Sequence, residues 1–342
     1  MKNWDSFSWG VARLWALAAA CAALMQGMTL WLEAGIWRMP GNLGNWDRTR
    51  AMLPAGPSEE PFFFAVAGDA SGHATFEGLF GRLKRERLAF LALLGDCARN
   101  GSEGDHRFLQ RLWWRRRPPF PVFYAVGNHD VDPQRFPVTR FEEVYGPTNF
   151  TFEYRGCLFV VLRALPLPRY STEGTIAFLK ALADKGRAGY RRVFVFMHVP
   201  PDVSGEWKAR PLENGARLAE LFEKLGVDYV FTGDYHGLAR ANVRGVNYVV
   251  TGGGGSRLKA ASYGRFHHAV VVGVGPDWVS ERVIAGEARS DWTLAAVELW
   301  MARVEPWLGR GGVWVVAAVA AAGAGAWAVG RRARRVRRVG QV

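Results

Sequence analysis

Cysteine is scarce in this chain. The 342 residues carry three, Cys21, Cys97 and Cys157, too few for a disulfide framework. That leaves either a cytoplasmic or a periplasmic setting open. Acidic residues are also in short supply, 31 against 44 basic ones, for a net charge of +13. An imbalance of this sign raises nucleic acid or an anionic membrane surface as a partner. Internal repeats are absent, and so is the Walker phosphate-loop spacing. Disorder is excluded for the bulk of the chain, because 49% of residues are hydrophobic and 22% charged. The length allows two domains, or one larger α/β domain with appendages.

The basic excess is concentrated at one end. Arg331, Arg332, Arg334, Arg335, Arg337 and Arg338 crowd the last twelve residues with no acid among them. Residues 311–330, just before them, hold no charge. That run matches the roughly 20 residues a helix needs to cross a bilayer. A second uncharged run extends from Leu14 to Leu32, with Lys2 and Arg13 upstream. Ala18-Ala19-Ala20-Cys21 matches a lipobox only loosely, so an uncleaved anchor is favoured over a signal peptide. Basic flanks mark the cytoplasmic side at both ends, which puts everything between the spans outside the cytoplasm. The expected organisation is an anchor or signal segment at 1–35 and a linker at 36–60. A catalytic domain follows at 61–275, then a juxtamembrane helical segment at 276–310. A transmembrane helix at 311–330 and a basic cytoplasmic tail at 331–342 complete it. With the arginines read as a topological signal, no nucleic-acid partner is expected.

Between the spans, short apolar runs alternate with helical stretches. Phe62–Ala67, Phe90–Leu94, Val122–Val126, Leu158–Leu162, Val193–Met197, Tyr229–Phe231, Tyr248–Val250 and His268–Val274 read as strands. Helical patterns at 76–87, 107–114, 175–185 and 216–225 intervene, and 292–304 is also helical. Such alternation means a layered α/β domain.

The chemistry lies where strands end. Successive runs are followed by Gly68-Asp69, Gly95-Asp96, Gly127-Asn128-His129-Asp130, His198-Val199-Pro200 and Gly233-Asp234-Tyr235-His236. One Gly-Asp is an ordinary turn. Five strands that deliver oxygen and nitrogen donors to one sheet edge, where ligands of open α/β sheets bind, form a metal site.

This arrangement resembles the calcineurin-like metallophosphoesterases over roughly Phe62 to Val274. The resemblance implies a four-layer αββα sandwich of two mixed sheets, here flanked by N- and C-terminal transmembrane helices. It implies two divalent metals, with Asp96 as the shared carboxylate. Asp69 and His236 then serve one metal; Asn128 and His198 serve the other, with Asp234 where the family usually has histidine. His129 matches the histidine near the leaving oxygen, and Asp130 the acid that holds it. Carboxylate, amide and imidazole donors suit manganese or iron, with zinc as the alternative. Paired ions clamp the attacking and leaving oxygens of a phosphoryl displacement, and metal-bound water supplies hydroxide near pH 7. The expected activity is hydrolysis of a phosphomonoester or phosphodiester. The alternative is a catalytically impaired fold used for binding.

Two positions depart from the family pattern. Ser71 stands where a metal-binding histidine is expected, with His73 the nearest substitute, and Asp234 replaces another histidine. Weaker features are open to two readings. Gly252–Ser256 is either a phosphate-facing loop or a flexible rim. Trp113–Pro119 is a solvated helix end, or a contact for lipid headgroups or nucleic acid. His267-His268 and Cys97 read as structural.

Overall fold

Apolar runs buried on both faces are what a sheet between two layers requires, and the chain uses them in two sheets. The computed structural model describes residues 40–307 apart from 55, 209 and 260–262, with scattered positions between 17 and 31 and between 323 and 331. About half of the expected span at 14–32, and most of the span at 311–330 and of the basic tail, lie outside the described residues. Among the described residues no helix is long and apolar enough to cross a membrane.

The strands are β1 (Phe62–Ala67), β2 (Leu91–Leu93), β3 (Val122–Tyr124), β4 (Phe150–Tyr154), β5 (Cys157–Val161), β6 (Arg192–Met197), β7 (Tyr229–Thr232), β8 (Leu238–Val243), β9 (Val246–Thr251), β10 (His267–Val274) and β11 (Val279–Gly286). One sheet has the order β11-β10-β1-β2-β3 and the other β4-β5-β6-β7-β9-β8. Both are mixed. β1, β2 and β3 run parallel, whereas β10 pairs antiparallel with β1 and with β11. β5, β6, β7 and β9 run parallel, and β4 and β8 close the edges antiparallel.

Side chains alternate along each strand, so each sheet has two apolar faces. Phenylalanines fill the space between the sheets: Phe64, Phe90, Phe159, Phe194, Phe196 and Phe231 share one cluster. Phe64 stacks on Phe90 with ring centroids 4.9 Å apart. The opposite face of β1 carries Ala65 and Ala67 toward Phe76 and Phe80 of the helix His73–Leu83 and Trp113 of the helix Glu103–Arg116. The outer face of the second sheet packs Val195 and Met197 against Leu179, Leu218 and Phe222. The helices in order are α1 (Asp47–Arg50), α2 (His73–Leu83), α3 (Glu103–Arg116), α4 (Val138–Tyr145), α5 (Glu173–Lys185), α6 (Gly215–Leu225) and α7 (Trp292–Leu299). Helices thus cover the outer faces of two sheets, the expected layering.

Three segments differ from the sequence expectation. The stretch read as a linker is packed into the domain from Pro40 to Leu53. Leu43 is fully buried and bridges to Val122. The Asn45 amide donates to the carbonyls of Tyr124 and Pro147 and accepts from the Tyr124 N–H, all within 2.8–2.9 Å. These contacts cover the edge of β3, which would otherwise present unpaired backbone groups. The catalytic domain also extends past residue 275, because β11 pairs with β10 along its whole length. After it, α7 and a π-helical turn at Trp300–Val304 lie on α3, with Met301 packed on Phe108 and Leu112. Finally, the end of α3 is solvated only in part: Arg115 and Arg117 are exposed, whereas Trp113 and Arg116 are buried. Trp113 is fully buried, and the Arg116 guanidinium lies over its ring at 4.7 Å and pairs with Glu77 at 2.8 Å.

Candidate metal centre

The site is assembled by turns that leave the strands sharply. Asp69, Asp96 and Asp234 follow β1, β2 and β7, and all three have positive φ, +58°, +53° and +59°. Aspartate tolerates this left-handed conformation better than most residues. Each turn therefore aims its carboxylate back across the sheet edge. The turns are crowded against one another. A Cβ on Gly127 would lie 2.2 Å from the Asp96 nitrogen, so only glycine lets the two turns meet.

All six expected ligands come together. Asp69, Asp96 and His198 are buried and offer donor atoms within 4.8 Å of one another. His198 Nε2 lies 3.3 Å from Asp96 Oδ1, 3.2 Å from Asn128 Oδ1 and 3.8 Å from Asp234 Oδ1. On the other side, His236 Nε2 lies 3.0 Å from Asp69 Oδ1. Both histidines are oriented by the backbone. His198 Nδ1 is 2.7 Å from the Leu94 carbonyl, and His236 Nδ1 is 2.7 Å from that of Arg257. A carbonyl can only accept, so Nδ1 carries the proton and Nε2 faces the cage, as a metal ligand requires. Asp69 Oδ1 and Asp234 Oδ1 are buried, and their near neighbours are cationic or cation-forming groups, His236 Nε2 at 3.0 Å and Arg210 Nε at 2.9 Å. Buried carboxylates gathered around two imidazoles fit divalent cations.

The electrostatics agree with that fit. Burial opposes charge on His198, but Asp96, Asp69 and Asp234 outweigh it and hold its pKa at about 10. Burial also works against ionised Asp96, and His198 reverses that, leaving Asp96 at about 2. Burial raises Asp69 above the usual carboxylate range, opposed by its contact with His236. A cage of acids thus holds a proton on His198 when no cation is bound. Metal uptake near neutral pH must displace it. Calorimetric Mn²⁺ titration in buffers of different ionisation enthalpy should register release of about one proton per protein. Heats independent of the buffer would contradict this. The same raised pKa stabilises the metal-free fold below the ordinary histidine value of 6.5, and that contribution is lost as pH rises toward about 10.

The Asp130 expectation needs correction. Its carboxylate does not hold His129. It is fully buried and accepts from the backbone N–H groups of Asp96, Cys97, Ala98 and Gly127 and from the Tyr124 hydroxyl, at 2.6–2.9 Å. Burial and the charge of Asp96 raise its pKa to about 6. Asp130 shapes the turn that presents Asp96. His129 is held instead through Nδ1, 2.9 Å from the Arg99 carbonyl, and its own N–H donates to Asp96 Oδ1 at 2.8 Å. Arg99 is fixed in turn by Glu298 of α7, with contacts of 2.7 and 3.2 Å.

The departures also find their places. Ser71 Oγ meets Ser256 Oγ at 2.8 Å. His73 points away from the cage, edge-on to Phe108 at 5.0 Å. Alternate amides of the glycine loop go to the backbone: Gly252 N–H donates to Gly237 O, Gly254 N–H to Gly68 O and Ser256 N–H to Asp69 O. These bonds seat β1's turn. His268 is buried beside Phe266, and its pKa falls to about 4 through burial. Cys97 is buried in the outer core. Sequence reasoning missed Arg210, whose Nε lies 2.9 Å from Asp234 Oδ1. It sits in a polar loop with no spacing to mark it.

The sequence profile of the calcineurin-like phosphoesterases matches residues 41–238, more than half of the chain. The chain belongs to that family. Within the family the chain is similar to serine/threonine-protein phosphatase CPPED1 of Bos taurus, 28% identical over 169 residues, covering 46% of this chain and 54% of the relative. It is also similar to the Danio rerio protein of the same name, 28% identical over 197 residues, covering 51% and 62%. The chain therefore spans little more than half the length of the curated relatives it matches. Among solved structures it resembles purple acid phosphatase PPD1 from yellow lupin, with a TM-score of 0.54 and 15% identity. That likeness covers 70% of this chain and 54% of the lupin protein and concerns the fold.

Proposed function

We propose that this chain is a membrane-anchored, metal-dependent phosphoesterase whose site faces the extracytoplasmic side. The observation that carries the reading is the cage itself: three acids, an amide and two oriented imidazoles gathered where strands of both sheets end, with Asp69, Asp96 and His198 buried together at its centre. Asp69, Asp96 and His236 would hold one divalent ion, and Asp96, Asn128, His198 and Asp234 a second; manganese or iron suits these donors best. Bound metals would supply Lewis acidity toward the phosphoryl oxygens and an activated water.

The chain's own groups do the rest. His129 is half exposed and lines the adjoining cleft. With Nδ1–H committed to Arg99 O, the imidazolium form of His129 would present its Nε2 proton to the departing oxygen. Asp130 keeps Asp96 and Asn128 in register. Curated relatives named serine/threonine-protein phosphatases make a phosphomonoester the first substrate class to assay.

Membrane anchoring rests on the two uncharged runs and their basic flanks. It draws support from Trp31, at the end of the first run, whose ring is covered by Arg111 of α3 at 4.5 Å. The segment leading to the second run packs on the same helix. A binding protein with an impaired site is the second reading, favoured by Ser71 and by Arg210 on Asp234. Full-length protein in detergent with Mn²⁺ should hydrolyse phenyl phosphate or bis(4-nitrophenyl) phosphate, and a chelator should stop it. Metal binding without hydrolysis of either ester favours the second reading.

A further inference from the structure

We infer that the cleft beside the cage is a subsite for a second anionic group, carried on the leaving alcohol of the phosphoester. This rests on the phosphoesterase reading and deepens it. The cleft measures about 430 Å³ and begins at Asn128 and His129. It runs to the 166–170 loop, away from the ligand cage. A leaving group that departs past His129 enters it.

The cleft's charge is opposite to that of the cage. Arg135, Arg169 and Arg210 line it, against a single acid, Asp132. Arg135 is held in place by the Asn100 carbonyl at 2.9 Å and by Asp132 at 3.2 Å. Arg210 leans on Asp234 and so marks the border with the cage. Arg169 is exposed, and no acid pairs with it among the described residues. Acids gathered deep and arginines along the rim separate two tasks. Cations bound in the cage would draw the scissile phosphoryl group. The rim then has guanidinium donors to spare for another anion, and the arginine fork suits carboxylate and phosphate alike. Pro166, Leu167 and Tyr170 supply the apolar wall for a short carbon skeleton between the two charges.

The test is a substrate ratio in the full-length protein with Mn²⁺. The pair 3-(carboxymethyl)phenyl phosphate and 3-methylphenyl phosphate share leaving phenols of similar acidity and differ in the second anion. The inference predicts kcat/KM about tenfold higher for the carboxylate compound, as expected for one charge-assisted contact. 1,3-Phenylene bisphosphate replaces the carboxylate by phosphate, and the larger of the two ratios identifies the preferred anion. Arg169→Gln should bring both ratios close to one, chiefly through KM. Ratios near one in the wild type overturn the inference. So do ratios that Arg169→Gln leaves unchanged, since then Arg169 serves the scissile phosphate or nothing. If no ester is hydrolysed, the phosphoesterase reading fails separately. Titration of the carboxymethyl compound into wild type and Arg169→Gln then decides the subsite: weaker binding in the variant supports it, equal binding overturns it.

Discussion

Asp96→Asn is expected to lower phosphoester hydrolysis by about a thousandfold and to empty the cage of metal. The family resemblance makes Asp96 the carboxylate shared by both metals, and it lies with Asp69 and His198 in the buried centre of the cage. Its Oδ1 lies 3.3 Å from His198 Nε2, and its Oδ2 lies 4.0 Å from His129 Nε2. Asparagine keeps the shape and an oxygen that accepts the His129 N–H. It also tolerates the positive φ at this turn. What it removes is the charge that two cations would share and that holds His198 at about 10. The fold should therefore survive while metal binding does not. Metal content by mass spectrometry, read beside unfolding in the presence of chelator, separates the two effects. A variant that retains its metals and more than a tenth of its activity would falsify the shared role of Asp96.

Asp130→Ala should act differently, through the fold. The carboxylate it removes satisfies four backbone N–H groups and the Tyr124 hydroxyl in a fully buried position. Alanine leaves those donors without partners and out of reach of bulk water. Breaking a buried charged network of this kind costs about 3–5 kcal/mol. For a domain of this size that is a fall in melting temperature of roughly 6–20 °C. Asp130→Asn should recover only part of the loss, because its NH₂ must face N–H donors on one side. The neighbourhood offers no substitute acceptor. His106 is already committed to the Asp130 carbonyl at 2.6 Å and stacked on Phe136 at 3.8 Å. Thermal unfolding of the full chain, with and without Mn²⁺, measures both variants. A melting temperature within about 2 °C of wild type would contradict the scaffold role.

These expectations show which features the sequence makes legible. Strand-end donors are readable because burial forces a continuous apolar run up to the sheet edge, and the chemistry must begin where the run stops. Asp69, Asp96, Asn128, His198, Asp234 and His236 each sit at that break, so their meeting follows from topology. The role of Asp130 is not readable in this way. Its partners at 96–98 and 127 belong to turns whose mutual approach depends on three-dimensional crowding around Gly127. The family resemblance implies a pairing with His129 that the fold does not make. The 40–53 segment misled for another reason. Its composition is that of a loop, and composition does not register an asparagine side chain that closes a strand edge. Arg116 illustrates the converse: a run of arginines reads as solvated, yet its guanidinium is sandwiched among Phe76, Phe80 and Trp113.

The central claim is that this strand-end cage binds divalent metal and uses it on phosphoesters. The direct measurement strips the full-length protein with chelator, adds back Mn²⁺ stepwise, and follows bound metal and phenyl phosphate hydrolysis on the same samples. The cage predicts that hydrolysis rises in step with bound metal, saturates as the cage fills, and is absent when His198 is replaced by alanine. Hydrolysis that survives complete removal of metal, or metal that binds equally well in His198→Ala, would contradict it.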